Sequence, residues 1–219
     1  MEKFIPILKK TQIFSGISEQ EISAMFSCLE ARLSKYKKGE YIFHQGEQIN
    51  SIAVIVEGKV TLQQDDFWGN RSIISIISTG GMIGEAYSLP ESGAVPHDAV
   101  AAEDSTVIFF NINKLLTVCS SACKSHSLVD QNLIFAISDK NRQLIGKLGH
   151  ISRRSTREKL ISYLSEQATK QNSSTFSIPF NRQQLADYLS VDRSAMSNEL
   201  CKMRDDGLLT FNKNNFSLQ

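Results

Sequence analysis

The side chains best spaced for chemistry lie near the C-terminus, in the run Asp192-Arg193-Ser194-Ala195-Met196-Ser197-Asn198-Glu199-Leu200-Cys201-Lys202-Met203. With Met196, Leu200 and Met203 packed inward at helical spacing, Arg193, Ser194, Ser197 and Asn198 stand on the opposite side, in the N-terminal half of the helix. That half is where a recognition helix meets base edges in the major groove. Arg193 has the two donors needed to grip guanine O6 and N7, and Asn198 has the donor and acceptor that match adenine N6 and N7. Upstream, Asn181 is placed to cap a second helix that Arg182 and Gln183 open, a position suited to a phosphate. The plainer reading of the same residues is a solvated polar face. Arg153, Arg154 and Arg157 read better as helix-surface or hinge charges than as DNA contacts.

Those residues need elements to position them. The last fifty residues read as an extended Phe176–Phe180, a helix through Leu185, Ala186 and Leu189, and a turn at Ser190-Val191-Asp192. A helix from Arg193 to Asp206 follows, stopped by Gly207. Two short strands, Leu208–Phe211 and Phe216–Leu218, then flank Asn212-Lys213-Asn214-Asn215, which together make a winged helix-turn-helix. Before it, from about residue 112 to 171, proline is absent and the periodicity is helical. Ile134, Ile137, Asn141, Leu144, Leu148 and Ile151 step by 3, 4, 3, 4 and 3, an a/d seam in which Asn141 would set the register of a two-stranded pairing. The expected consequence is a homodimer; a helix packed on its own domain is the plainer alternative. From about Leu29 to Asn111, short β-rich runs (Tyr41–Phe43, Ile52–Val56, Arg71–Ile77, Thr106–Phe110) alternate with glycines, as in a sandwich or barrel. Ser18 and Glu21 fit a capping box for a short helix ahead of them.

Composition narrows the function classes. The 219 residues are 41% hydrophobic and 21% charged, with a net charge of +1, which fits a folded globular chain rather than a disordered one. Residues 150–219 hold ten Lys/Arg against seven Asp/Glu and the remainder fourteen against sixteen, so the C-terminal part leans toward an anionic partner. No apolar stretch is long enough to span a bilayer, and Met1–Pro6 lacks the apolar core of a signal peptide, so a cytoplasmic protein without a membrane partner is expected. Four cysteines are too few and too scattered for a disulfide framework or for the thiolates of an iron–sulfur cluster. Redox switching through Cys119, Cys123 or Cys201 stays open. His44, His97, His126 and His150 are single and far apart, so no catalytic or metal-binding set is expected, and neither is an enzyme of the small-barrel metal-dependent type.

In this order of parts the chain resembles the catabolite activator and fumarate–nitrate regulator family of bacterial transcription factors. Three stretches carry the resemblance. Lys38–Glu47 followed by Ile55–Val60 resembles the glycine-marked entry to the family's β-roll. Gly84-Glu85 resembles the start of its cyclic-nucleotide phosphate cassette, and Asn181–Ser194 its helix-turn-helix. The implied fold is α+β: an N-terminal antiparallel β-roll, or cyclic-nucleotide-binding-like jelly roll, over residues 1–124, a long dimerisation helix over 125–151, and a C-terminal winged helix-turn-helix over 152–219.

The resemblance further implies a homodimeric regulator without catalytic activity or cofactor, acting on a palindromic site in double-stranded DNA. RNA polymerase is an implied partner, and a small-molecule effector of unknown identity would sit near Gly84, Glu85 and His97. Two departures matter. Asn198 stands where family members often carry arginine, which leaves the half-site open. The stretch Ala94-Val95-Pro96-His97-Asp98-Ala99 lacks the arginine that would pair with a cyclic phosphate, which argues against cyclic AMP. A constitutive DNA binder with a filled pocket and a thiol redox sensor are the alternatives.

Overall fold

The computed structural model describes residues 1–65, 68, 71–89, 91–117 and 124–219. They form two compact units, Met1–Ser138 and Asp139–Gln219. The first opens with α1 (Ile5–Leu8) and α2 (Glu19–Cys28), followed by β1 (Arg32–Tyr36), β2 (Tyr41–Phe43), β3 (Ser51–Glu57), β4 (Lys59–Asp65), β5 (Arg71–Ser78), β6 (Met82–Ile83), β7 (Asp98–Ala101) and β8 (Ser105–Asn111). α3 (Ile112–Leu116) and α4 (Lys124–Ile151) come next, and α4 supplies residues to both units. The second unit continues with α5 (Thr156–Gln171), β9 (Thr175–Ser177), α6 (Arg182–Leu189), α7 (Arg193–Asp205), β10 (Leu209–Asn212) and β11 (Asn215–Leu218).

The eight strands of the first unit make two four-stranded antiparallel sheets, ordered β1-β8-β3-β6 and β2-β7-β4-β5. β3 shows why Ile52–Val56 is apolar without alternation. Ala53 and Ile55 join a core with Ile42, Val60, Ala99 and Val107 of the other strands, while Ile52, Val54 and Val56 pack with Phe4, Leu8, Phe14, Ile22, Val129 and Leu133 from the helices. Both faces of the strand are therefore buried, and a two-sided strand reads as a continuous hydrophobic run. β5 differs. It is an edge strand, and Ile73, Ile74 and Ile76 are exposed although the sequence reads as apolar as β3. Gly58, between β3 and β4, has φ +87°, and a Cβ there would stand 2.6 Å from the Asp104 carbonyl oxygen, so the turn admits only glycine.

The expected capping box on α2 is present: Glu21 N–H donates to Ser18 Oγ at 3.3 Å and Ser18 N–H to Glu21 Oε2 at 2.9 Å. α4 ends at Ile151, and Ser155 begins a second capping box, with Glu158, that starts α5. Two details differ from the sequence reading. The wing hairpin turns on two residues rather than four, because Asn212 and Asn215 are already paired and Lys213 takes the left-handed conformation at φ +51°. The wing has a third strand, β9, with Phe176 opposite Phe216, giving the order β10-β11-β9.

Candidate nucleic-acid interface

The second unit holds the helix-turn-helix around one apolar cluster that includes Leu160, Tyr163, Leu164, Leu185, Leu189, Met196, Leu200, Met203 and Phe216. Each end of the turn has its own device. Asn181 and Gln184 exchange hydrogen bonds of 2.9 Å each and start α6. Ser190, at φ +52°, ends α6, and Lys159 Nζ reaches across from α5 to donate to the carbonyls of Leu189 (3.2 Å) and Ser190 (3.3 Å). Asp192 Oδ1 then accepts the Ala195 N–H at 2.7 Å and starts α7. Turn and cap together fix where the first turn of α7 points.

On α7, Met196 and Leu200 are fully buried and Met203 is 2% exposed, which places the expected inward stripe inside. Arg193, Ser194 and Asn198 are exposed. Ser197 is half-buried, and its hydroxyl donates to the Arg193 carbonyl at 2.9 Å, within its own helix. Arg157 of α5 ion-pairs with Glu199 (3.5 Å) and Asp206 (2.5 Å), which holds α7 to α5 along its length and raises the Arg157 pKa, chiefly through the Asp206 hydrogen bond. The acids on this side of α7 are thus matched by a cation of the same unit.

Arg182 is placed differently from Gln183. Its guanidinium lies over the rings of Phe211 (4.8 Å) and Phe216 (5.1 Å), half-buried against the wing, and desolvation lowers its pKa. Gln183 is exposed and donates to Asp187 Oδ1 at 2.8 Å. The sequence reading passed over Lys213, which the two-residue turn sets at the exposed tip of the wing; its only sequence signal is an asparagine-rich hairpin.

Along α4, Ile134 (62% exposed), Leu144 (61%) and Leu148 (59%) are bare in the single chain, as are Ile137 and Asn141, while Ile151 is half-buried. Val129, Leu133 and Ala136 occupy the opposite side, against the core. Phe135 and Ile145 are also exposed, outside the heptad positions and missed for that reason.

Gly84, Glu85 and His97 gather in the first unit. Gly84 has φ +85°, and a Cβ there would lie 2.9 Å from Ile49 Cδ1. His97 meets the Tyr87 ring edge-on at 5.7 Å. Burial lowers the His97 pKa against the opposing pull of Asp98 and Glu85, so its imidazole is neutral near pH 7 and the nearby charges are carboxylates. Asp98 Oδ1 accepts the Gln45 N–H at 2.8 Å. The site as built is a poor home for a lone phosphate. Cys28 and Cys201 are free and exposed; Cys119 and Cys123 lie outside the described residues. Among the described residues no group of His, Cys, Asp and Glu could hold a metal ion, and no helix is long and apolar enough to cross a membrane.

Comparison with known proteins matches residues 33–122 to the cyclic nucleotide-binding domain and residues 158–218 to the Crp-like helix-turn-helix domain. The cyclic AMP receptor protein of Thermus thermophilus is 29% identical over 101 residues, which cover 46% of this chain and 45% of that protein. The transcriptional activator protein FnrL of Cereibacter sphaeroides is 23% identical over 183 residues, covering 80% of this chain and 71% of that one. Among solved structures, OCPA-complexed CprK shares the fold, with a TM-score of 0.62, 17% identity and coverage of 89% of this chain and 88% of that chain. The cyclic nucleotide-binding domain and the Crp-like helix-turn-helix domain, each matched in its own segment on either side of the long helix, make this chain a member of the catabolite activator and fumarate–nitrate regulator family of transcription regulators, with a helix-turn-helix DNA-binding domain.

Proposed function

We propose that the protein acts as a homodimer on a roughly palindromic duplex, with α7 in the major groove and with DNA affinity set by an effector other than cyclic AMP. The observation that carries this reading is the two-sidedness of α7: Met196, Leu200 and Met203 are buried while Arg193, Ser194 and Asn198 face solvent in its first turns. In this reading Arg193 and Asn198 read base edges. Ser194, Ser197, Asn181, Gln183 and the wing-tip Lys213 lie against phosphates and sugars, and Arg182 steadies the wing. The roll (1–124) senses through the neighbourhood of Gly84, Glu85 and His97. The helix (125–151) dimerises through Ile134, Ile137, Asn141, Leu144, Leu148 and Ile151, and the remainder (152–219) binds DNA. Effector binding biases the packing of α4 and so the spacing of the two recognition helices. RNA polymerase is the downstream partner that the family implies.

The test is selection from a pool of random duplexes by the purified protein, with and without metabolite extract and under reducing or oxidising conditions. A palindrome recovered in one condition only supports the regulated dimer and identifies the kind of signal. Recovery in every condition favours constitutive binding, and no enrichment anywhere refutes the DNA reading.

A further inference from the structure

The stripe of α4 that carries Ile134, Ile137, Asn141, Leu144 and Leu148 reaches further back than its apolar residues. Asp130, one step of four before Ile134, falls on the same stripe. Its neighbours Val129 and Leu133 are buried in the core of the first unit, whereas Asp130 is only half-buried. Its Oδ1 is nonetheless shut off from water and has no hydrogen-bond partner among the described residues. Nearby polar side chains are committed elsewhere: Ser125 donates to Glu21 of α2 at 2.6 Å, and Asn132 to the carbonyls of Ile13 (3.1 Å) and Ser15 (2.8 Å). Burial holds the Asp130 carboxyl above the ordinary aspartate range, against the opposing pull of His126 one turn back on α4, the one titratable group acting on it among the described residues. Asp139, the other acid of α4, is satisfied within its own helix by Arg142 (2.9 Å) and Gln143 (2.8 Å). A buried carboxyl oxygen without a donor is costly in a single chain, and this one lies on the stripe left bare.

We propose that a second copy of the chain completes this site: Asp130 meets its equivalent across the seam, and the dimer closes with one proton held between the two carboxyl groups. The inference rests on the homodimer of the proposed function and names what governs its assembly. In a parallel two-stranded pairing related by a two-fold axis, a seam residue faces its own counterpart. Two carboxylates at that separation repel, so one takes a proton and its O–H donates to an oxygen of the other. Asn141, eleven residues on, is neutral and sets register at any pH; Asp130 makes assembly depend on the proton. The dimer binds one proton more than two separate chains do. Its dissociation constant therefore rises with pH, by about tenfold per unit once the free carboxyl is ionised.

The test is sedimentation equilibrium of the full chain, without DNA, across the range from mildly acid to mildly alkaline pH. Wild type is compared with Asp130→Asn, Asp130→Leu and, as a control acid on the same helix, Asp139→Asn; far-ultraviolet dichroism and melting confirm that each folds. Wild type and Asp139→Asn should show the same weakening of the dimer with rising pH. Asp130→Asn and Asp130→Leu should lose that dependence and, at the alkaline end, dimerise at least tenfold more tightly than wild type. A wild-type dissociation constant independent of pH overturns the proposal. So does a pH dependence that survives in Asp130→Asn, which would assign it to His126, and so does a weaker dimer in both Asp130 variants, which would make the carboxylate a structural contact. A dimer formed without any of these effects leaves the proposed function standing and removes only this inference. A chain that stays monomeric in every variant removes both.

Discussion

Asp192 gives the sharpest test of how α7 is held. Its Oδ1 accepts the Ala195 N–H at 2.7 Å at the head of a helix whose first turn carries Arg193 and Ser194. Asp192→Ala removes that acceptor and leaves a backbone donor to water, a loss of about 1 kcal/mol. The carboxylate also faces the positive end of the helix, worth roughly 0.3–1 kcal/mol at low salt. Asp192→Asn keeps the acceptor and loses only the charge, so its cost should be a few tenths of that of the alanine variant. For a unit of this size, 1 kcal/mol corresponds to a fall in Tm of about 4–8 °C. The only tryptophan, Trp68, lies in the other unit, so tryptophan fluorescence does not follow this transition. Calorimetry and hydrogen exchange at the Ala195 amide do. Fraying of the first turn should weaken duplex binding by Asp192→Ala, whereas Asp192→Asn should bind at least as tightly as wild type because it removes an anion from the phosphate-facing side. Equal destabilisation by both variants, or an Ala195 amide equally protected in all three proteins, would refute the capping argument.

Three further outcomes are expected. Arg193→Ala should cost about 1–3 kcal/mol on the selected duplex and relax one base position; an equal loss on every sequence, read by competition binding, would reduce it to a phosphate contact. Leu200→Ala, at a fully buried position, should destabilise the second unit by about 2–5 kcal/mol, while hydrogen exchange in the strands of the first unit is unchanged. The Glu21 pKa is lowered to about 2 by hydrogen bonds from Ser125 and Ser18, so the stabilisation it provides is present above its ordinary 4.5 and is lost as pH falls from there toward about 2. Ser125→Ala should therefore lower the Tm most near neutral pH, with the gap from wild type closing in acid. A gap independent of pH would assign the effect to packing.

Much of the reading unit was legible in the sequence because its signals are local. Asp192, Asn181 and Ser18 cap their helices through bonds spanning three residues, and the buried spacing of Met196, Leu200 and Met203 follows from helix period alone. The strands of the roll were visible for the same reason. What was not visible depends on partners distant in the chain. Arg182 opens a helix in sequence, yet it lies on Phe211 and Phe216, residues about thirty places away, because the wing folds back beside α6. Arg157 reads as a surface charge until α7 brings Glu199 and Asp206 to it. The runs Ile52–Val56 and Ile73–Ile77 look alike as strings of apolar residues, but sheet order buries one on both faces and leaves the other on an edge. The sequence by itself determined the capped helices, the β-rich run and the buried and solvent-facing sides of α7, since hydrogen bonds and periodicity over a few residues suffice for them. Only the tertiary structure decided which cations are committed to neighbours and which remain free, because Coulomb contacts depend on distance in space rather than on separation along the chain.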